Sequence, residues 1–277
     1  MGGLLMRVGF IGLGSQGAPM ARRIVEAGFA TTLWARRPAS VEPFAATPAE
    51  VAGTPAELAA ASDLVCLCVV NDADVSEVVL GEHGVLAGLR EGGVIAVHST
   101  VHPDTCRRLA AEAGGAGVAV VDAPVSGGGP AAEEGRLLVM AGGDPDTVEA
   151  CRPVFASYAD PVVYLGPLGS GQVTKLLNNV LFTANLATSA GAVALGGALG
   201  VEPGRLADVL SHGSGNSFAL GSIARAGGTL EHLAALAGPL LQKDARLVAA
   251  LAEAAGARPG AVMDAADAAL ALMEHPR

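Results

Sequence analysis

The sequence predicts an α/β fold class, a doubly wound parallel sheet followed by an all-α domain, and three observations support it. Short apolar runs alternate with helix-like stretches up to residue 164. A glycine-rich loop follows the first apolar run. From residue 172 onward, only long stretches rich in Ala and Leu follow. Hydrophobic residues make up 51% of the 277 residues and charged residues 16%, so the chain can bury a large core.

Five apolar runs are predicted to be buried strands, at 7–11, 30–34, 64–69, 94–98 and 118–122. Helix-like stretches lie between these strands, at 17–26, 55–61, 73–80 and 103–113. Repeated strand–helix–strand units place parallel strands side by side with right-handed crossovers, which predicts a doubly wound sheet. We expect two further runs, 136–141 and 162–164, to extend the same sheet.

The pattern changes after a loop of glycine and proline at 166–171. Beyond it we find only helical stretches, with predicted breaks at Gly215, Gly227-Gly228 and Gly238-Pro239. A change of composition at such a loop is typical of a domain boundary. We therefore expect an α/β domain at 1–168 and a helical domain at 169–277.

The charge balance argues against a nucleic-acid partner. Seventeen Lys and Arg face 27 Asp and Glu, a net charge of −10, and basic residues never occur more than two in a row. Binding to phosphate backbones needs basic stripes.

The Cys and His residues have no metal-ligand spacing, so we predict no metal site. Residues 1–14 run into the first strand without a basic segment or cleavage site, so we expect a cytoplasmic protein.

The stretch 176–201 carries no charged residue and exceeds the ~20 residues that span a bilayer. It also contains three Asn and four Gly, which makes it too polar for a comfortable membrane span. A helix buried in a protein core or against a second subunit accounts for it better. We therefore expect no membrane partner and a homodimer or homotetramer.

The loop after the first strand has the form GxGxxG and directly precedes a helix. The first glycine makes the tight turn, the second lets a pyrophosphate approach the backbone, and the third packs the helix on the strand. The helix N-terminus offers free N–H groups to the phosphates. These features predict a Rossmann domain whose cofactor contacts include Gly12, Leu13, Gly14, Ser15, Gln16 and Gly17.

The end of the second strand indicates which dinucleotide binds. An NAD site usually has an acidic residue there for the ribose hydroxyls. This chain has Arg36 and Arg37 instead, with no acid before Glu42. A guanidinium pairs with a 2′-phosphate and gains little from a bare hydroxyl. We predict that NADP(H) is preferred, with Arg36 on the 2′-phosphate, and that NAD(H) is an alternative.

Four segments resemble the signatures of the β-hydroxyacid dehydrogenases, the 3-hydroxyisobutyrate dehydrogenase group related to 6-phosphogluconate dehydrogenase. They are GLGSQGAPM at 12–20, DAPVSGG at 122–128, GSGQVTKLLNN at 169–179, and Lys243-Asp244. The resemblance covers about residues 6 to 255. The second and third segments are far more specific than the glycine loop.

The resemblance implies an enzyme that oxidises a small 3-hydroxy acid or reduces the matching semialdehyde or keto acid. It also implies a Rossmann domain, a helical domain and a long interdomain helix that starts near Gly171. By position, Lys175 is the catalytic lysine and Asn179 its partner. The remaining residues are binding residues: the substrate carboxylate on Ser126, Gly127 and Gly128, and the cofactor on Val69, Val70, Thr100 and Lys243.

The chemistry of Lys175 agrees with that implication. Hydride leaves carbon only as the hydroxyl proton is lost, so a base must lie within hydrogen-bond reach of that oxygen. A lysine serves when a dry cleft lowers its pKa. Lys175 lies just inside a helix that is otherwise uncharged to Val201. Asn179 is four residues on, hence on the same helix face, and can orient the lysine or the substrate oxygen.

The chain also departs from the family pattern. Many members have a proline after the position of Val69, in a loop that touches the cofactor, where this chain has Val70 and Asn71. The stretch 233–241 lacks the aromatic and acidic residues common there, which leaves the substrate open.

Two alternatives remain. Imine reductases share the architecture but generally replace the catalytic lysine, so the presence of Lys175 argues against one. A non-catalytic NADP-binding protein would have little reason to keep Lys175, Asn179 and Ser126 together.

Overall fold

The computed structural model describes residues 6–226 and 229–277. Residues 1–5 and the helix break predicted at Gly227-Gly228 lie outside the described residues. The chain divides into two units, Met1–Lys175 and Leu176–Arg277, and the division falls inside a helix.

The first unit contains a six-stranded parallel sheet in the order β3-β2-β1-β4-β5-β6. Its strands are β1 Val8–Ile11, β2 Thr31–Trp34, β3 Glu50–Val51, β4 Leu64–Leu67, β5 Val94–Val97 and β6 Ala119–Asp122. Five of these match the predicted runs to within two residues, which confirms the doubly wound sheet. The sixth, β3, was not predicted because two exposed residues show no hydrophobic pattern.

A second, three-stranded sheet follows in the order β7-β8-β9. Its strands are β7 Val125–Ser126, β8 Leu137–Ala141 and β9 Ala159–Tyr164. The prediction that 136–141 and 162–164 extend the first sheet was therefore wrong. Only residues 123–124 separate β6 from β7, and a further parallel strand in the same sheet needs a crossover of a dozen residues or more. The chain instead turns away and pairs β7 with β8 antiparallel.

Helices cover both faces of the parallel sheet. They are α1 Gly17–Glu26, α2 Pro55–Ala60, α3 Asp72–Leu80, α4 Val85–Gly88, α5 Pro103–Gly114, α6 Gly128–Glu133 and α7 Pro145–Phe155, with 3₁₀ turns at Pro38–Ser40 and Glu42–Phe44. Side-chain caps set several starts: Thr54 accepts from the Glu57 amide and Asn71 from the Asp74 amide. Successive strand residues enter opposite cores, Phe10 one and Ile11 the other, so the strands are apolar throughout.

The described part of the second unit is helical, as predicted. Its helices are the rest of α8 Ser170–Ala198, then α9 Pro203–His212, α10 Phe218–Arg225, α11 Glu231–Ala254 and α12 Ala261–Leu272. Gly215 lies between α9 and α10, but the break predicted at Gly238-Pro239 was wrong, since α11 continues through Pro239. Burial of Leu241, Ala245 and Val248 on the same helix offsets the ~3 kcal/mol that an internal proline costs.

Among the described residues, α8 is the one helix long and apolar enough to cross a membrane, judged by length and composition. Leu176, Val180 and Leu186 on this helix are buried in the core of the second unit. Leu177 and Leu181 are about half exposed. The helix therefore has one face in a protein core and an exposed apolar face.

Candidate active site

The phosphate loop is shaped by its glycines. Gly12 has a φ of +100°, and a Cβ there would collide with the carbonyl oxygen of Cys68. A Cβ on Gly17 would collide with the carbonyl oxygen of Gly12. At Gly14 a Cβ would meet no atom of the described residues within 4 Å. The protein's own packing thus requires glycine at 12 and 17, whereas Gly14 leaves space for a ligand to approach the backbone.

Helix α1 begins at the end of this loop. None of the side chains that the structure describes caps it, and its first turn has no acidic residue. The first N–H groups of a helix have no partner within the helix, and its positive end attracts anions. The loop and the start of α1 together therefore suit the pyrophosphate of a dinucleotide.

A cleft of about 320 Å³ opens beside the loop at the carboxyl ends of β1, β2 and β4. Six predicted cofactor residues line it: Gly12, Leu13, Gly14, Arg36, Val69 and Val70. Eight more complete the lining: Ile11, Trp34, Ala35, Arg37, Ser40, Cys68, Asp74 and Val78. Ser15, Gln16, Gly17 and Thr100 are not part of it. Because the strand order reverses between β1 and β4, the cleft lies where dinucleotides bind in such sheets.

Arg36, which lines the cleft, forms ion pairs with two acidic side chains of α3. Its guanidinium lies 2.9 Å from Asp74 Oδ1 and 3.3 Å from Glu77 Oε2. Hydrogen bonding to Asp74 raises the pKa of Arg36 further. An acidic side chain therefore reaches the end of β2 from α3, and no local sequence pattern indicated it because Asp74 is 38 residues away from Arg36. A 2′-phosphate on Arg36 would compete with two carboxylates.

The loop that lacks the family's proline is held by a hydrogen bond. The Val69 N–H donates to Ser99 Oγ at 2.8 Å. Ser99 follows β5, so this bond ties the cleft wall after β4 to the end of the neighbouring strand. Asn71 then caps α3 two residues later. Ser99 was not among the predicted site residues.

The turn predicted to hold a carboxylate lies beside the phosphate loop. Ser126 ends β7 and is half-buried, and Gly127 and Gly128 are exposed. Gly127 has a φ of +133°, which disfavours any other residue. A Cβ on Gly129 would lie 2.9 Å from the Ser15 carbonyl oxygen. The structure thus brings the predicted substrate turn and the predicted cofactor loop together.

Lys175 lies in the second turn of α8 and is only 9% exposed. The start of this helix is held by Asp122, which is fully buried at the end of β6. Asp122 accepts hydrogen bonds from the Gly169 and Gln172 amides at 2.7 Å each. Burial raises the pKa of the Asp122 carboxyl, and the donated N–H groups oppose that rise. A buried acidic side chain therefore holds the beginning of the helix that carries Lys175.

Asn179 and Lys243 belong to the second unit, where both contact Asp244. The Asn179 amide donates to Asp244 Oδ2 at 2.6 Å, and Lys243 Nζ lies 2.8 Å from Asp244 Oδ1. Asp244 is 3% exposed. Asn178, the neighbour of Asn179, is exposed. Asp244 thus joins the predicted lysine partner to the predicted cofactor lysine within this unit.

Two family models match successive parts of the chain. Residues 7–166 match the NAD binding domain of 6-phosphogluconate dehydrogenase. Residues 169–275 match the NAD-binding domain of NADP-dependent 3-hydroxyisobutyrate dehydrogenase.

Several curated relatives are dehydrogenases. An NAD-dependent L-serine dehydrogenase of Pseudomonas aeruginosa is 34% identical, over 78% of this chain and 72% of the relative. A 2-(hydroxymethyl)glutarate dehydrogenase of Eubacterium barkeri is 34% identical, over 78% of this chain and 71% of the relative. Mouse mitochondrial 3-hydroxyisobutyrate dehydrogenase is 35% identical, over 76% of this chain and 63% of the relative.

Solved structures of related enzymes also superpose on this chain. Mycobacterium tuberculosis 3-hydroxyisobutyrate dehydrogenase with L-serine superposes with a TM-score of 0.84 at 28% identity, over 98% of this chain and 95% of the other. An imine reductase from Pseudomonas sp. gives a TM-score of 0.66 at 21% identity, over 94% of this chain and 91% of the other, which shows a shared fold.

Proposed function

The chain belongs to the β-hydroxyacid dehydrogenase family of nicotinamide-dependent oxidoreductases, and from this premise we propose that it interconverts a small 3-hydroxy acid and its semialdehyde or keto acid. We propose NADP(H) as the preferred cofactor, with NAD(H) as an alternative. The observation that carries the proposal is Lys175, largely buried at the start of α8 within the family segment GSGQVTKLLNN.

Lys175 moves the proton in this proposal. A bound nicotinamide cofactor supplies the acceptor or donor for the hydride. Lys175 takes the proton from the substrate hydroxyl in oxidation and returns it to the carbonyl in reduction. Burial of Lys175 limits competition from water for that proton. Asn179, one helical turn later, serves as its partner.

The substrate carboxylate binds to the turn at Ser126, Gly127 and Gly128. A hydroxyl and exposed backbone amides suit such an anion. The proximity of Gly129 to Ser15 supports this placement, because the turn then lies beside the phosphate loop. Thr100 and Lys243 complete the contacts to cofactor and substrate.

NADP(H) is preferred because Arg36 lines the cleft and suits a 2′-phosphate. The name of the second family model, NADP-dependent 3-hydroxyisobutyrate dehydrogenase, supports this choice. Asp74 and Glu77 neutralise part of the Arg36 charge. We therefore expect a moderate preference for NADP(H).

The enzyme works in the cytoplasm as a homodimer or homotetramer, without a nucleic-acid or membrane partner. The exposed apolar residues of the second unit support an oligomer: Leu177, Leu181 and Leu195 on α8, Leu199 directly after α8, and Phe218 on α10. Monomeric proteins rarely expose large contiguous apolar patches. Sedimentation that shows a stable monomer would contradict this assignment.

The test of the function is the absorbance change of the nicotinamide. L-serine, 3-hydroxyisobutyrate and 2-(hydroxymethyl)glutarate are offered with NADP⁺ and with NAD⁺. The matching carbonyl compounds and a cyclic imine are offered with NADPH and NADH. Turnover of a 3-hydroxy acid, faster with NADP⁺ at equal subsaturating concentrations, is the expected result. Activity confined to a cyclic imine would move the chain to the imine reductases, whose fold it shares. No turnover with any compound would favour the non-catalytic alternative.

A further inference from the structure

Two buried polar side chains meet at the start of α8 without a direct part in the proposed chemistry. Asp122 and Gln172 both have no exposed surface. The two carboxylate oxygens of Asp122 are each used, Oδ1 by the Gly169 amide and Oδ2 by the Gln172 amide. A carboxylate at this point satisfies N–H groups that have no partner within the helix and complements the positive helix end.

The space around this carboxylate is tight. A Cβ on Gly142 would lie 2.5 Å from Asp122 Oδ1, and a Cβ on Gly171 would lie 2.9 Å from Asp122 Oδ2. The glycines at both positions therefore leave room for the carboxylate, which any larger residue there would crowd. The hydrogen bonds of Asp122 and this close packing hold the first turn of α8 against the end of β6.

The side chain of Gln172 makes a second connection. Its Nε2 donates to the Ser99 carbonyl at 2.8 Å, and its Oε1 accepts from the Val101 amide at 3.1 Å. These two peptide groups flank Thr100, the residue proposed above to contact the cofactor and substrate. One buried amide therefore attaches the start of α8 to the end of β5 on both sides of Thr100.

Lys175 lies three residues after Gln172, on the next turn of the same helix. We propose that Asp122 and Gln172 are positioning residues that hold Lys175 and Thr100 at a fixed separation. Proton transfer and hydride transfer then take place in a single arrangement of the reacting groups. The proposal rests on the roles given above to Lys175 and Thr100. A misplacement of about 1 Å can cost ~10²-fold in rate, so such an attachment acts on turnover.

The main test is Gln172→Met, which keeps the length of the side chain and removes both hydrogen bonds. Turnover of the best 3-hydroxy acid should fall about 10- to 100-fold. The KM of the acid and the Kd of NADPH, measured by its fluorescence in a titration, should change less than about threefold. A loss confined to turnover separates positioning from binding.

The matched control is Thr31→Val. Thr31 is buried and donates to the Phe29 carbonyl at 2.8 Å, at the amino end of β2 and away from the site. This variant also loses a buried hydrogen bond without a change of size. It should lower Tm by a similar amount and leave turnover unchanged.

A second variant, Gln172→Glu, gives a pH signature that stability alone does not produce. A charged carboxylate accepts from Val101 but cannot donate to Ser99, whereas a protonated one does both. Its turnover relative to the native enzyme should therefore rise as the pH is lowered from 8 to 6, at temperatures well below Tm. This variant also provides the test if Gln172→Met does not fold.

The outcomes are separable. Native protein that turns over none of the acids would overturn the proposed function itself. With an active native enzyme, Gln172→Met that retains turnover within twofold would overturn the positioning role alone. So would a loss that Thr31→Val reproduces at the same change in Tm, or one that lies entirely in KM.

Discussion

The start of α8 and the Arg36 end of the cleft are built in opposite ways. Asp122 and Gln172 are fully buried and bonded to backbone groups, whereas the side chain of Arg36 is 62% exposed and bonded to acidic side chains. A buried group that loses its partner keeps the full cost of desolvation. Exposed ion pairs contribute only ~0–1 kcal/mol. A change at the start of α8, where the proposed catalytic lysine lies, is therefore costly to the fold, whereas the Arg36 end, proposed to select the cofactor, can be changed at little cost.

The largest effect on turnover is expected from a substitution at Lys175, at the start of α8. Lys175→Ala should reduce turnover by ~10² to 10⁴-fold, because it removes the proton-transferring group, and should leave the Kd of NADPH nearly unchanged. Steady-state kinetics and NADPH titration measure the two quantities. Val173→Ala, on the exposed side of the same turn, is the control and should retain activity. Survival of native turnover in Lys175→Ala would rule out the proton-transfer assignment.

The stability of the fold should also depend on pH, because His98 is buried near the end of β5. His98 follows β5, with Nδ1 2.6 Å from the Ala123 carbonyl and Nε2 3.1 Å from the Tyr158 hydroxyl, and burial lowers its pKa to about 4. An unfolded histidine has a pKa of about 6.5. Between these values the unfolded chain binds a proton that the native one does not, so stability falls as the pH falls.

The expected loss in the free energy of unfolding is about 3 kcal/mol between pH 7 and pH 4. Urea unfolding at several pH values measures it. His98→Gln should flatten the slope between pH 6.5 and 4.5. The pKa of Asp63 is lowered by Arg7, so this carboxylate loses its contribution only below about pH 4 and does not overlap this window. An unchanged slope in the variant would assign the acid sensitivity to other groups.

At the adjustable end, Arg36→Ala should weaken NADPH binding about tenfold and NADH binding less than twofold, since only NADPH carries the 2′-phosphate. Fluorescence titration with both cofactors measures this. Arg37→Ala is the matched comparison, because Arg37 also lines the cleft. A larger loss in that variant would transfer the phosphate contact to Arg37, and equal losses for both cofactors would remove it from Arg36.

The smallest effect is expected from Asp74→Asn. It removes a carboxylate that competes with the phosphate for Arg36, so NADPH should bind about two- to fivefold more tightly and NADH equally well. Glu77→Gln should act in the same direction but less, because Glu77 is farther away and more exposed. The gain should shrink at high salt, which screens exposed charges. Weaker NADPH binding in Asp74→Asn would show that Asp74 orients Arg36 for the phosphate.

Local patterns determined much of this protein. Five parallel strands and the helices between them follow from apolar periodicity, because strands buried on both faces are apolar throughout and the helices carry their own caps and prolines. The glycine loop and the segments around Ser126 and Lys175 indicated the family and most of the candidate site. No local pattern in the sequence predicted which distant side chains form hydrogen bonds with each other in the site.

Only the tertiary structure decided the remaining features. It separated β7, β8 and β9 into a second sheet, and it kept α11 intact through Pro239, because packing outweighed local preference. It joined Arg36 to Asp74, Asp122 to Gln172, and Gln172 to Ser99, across 38, 50 and 73 residues. Residue type and spacing along the chain record what each side chain can bond, but the fold alone determines which distant groups come within hydrogen-bond distance.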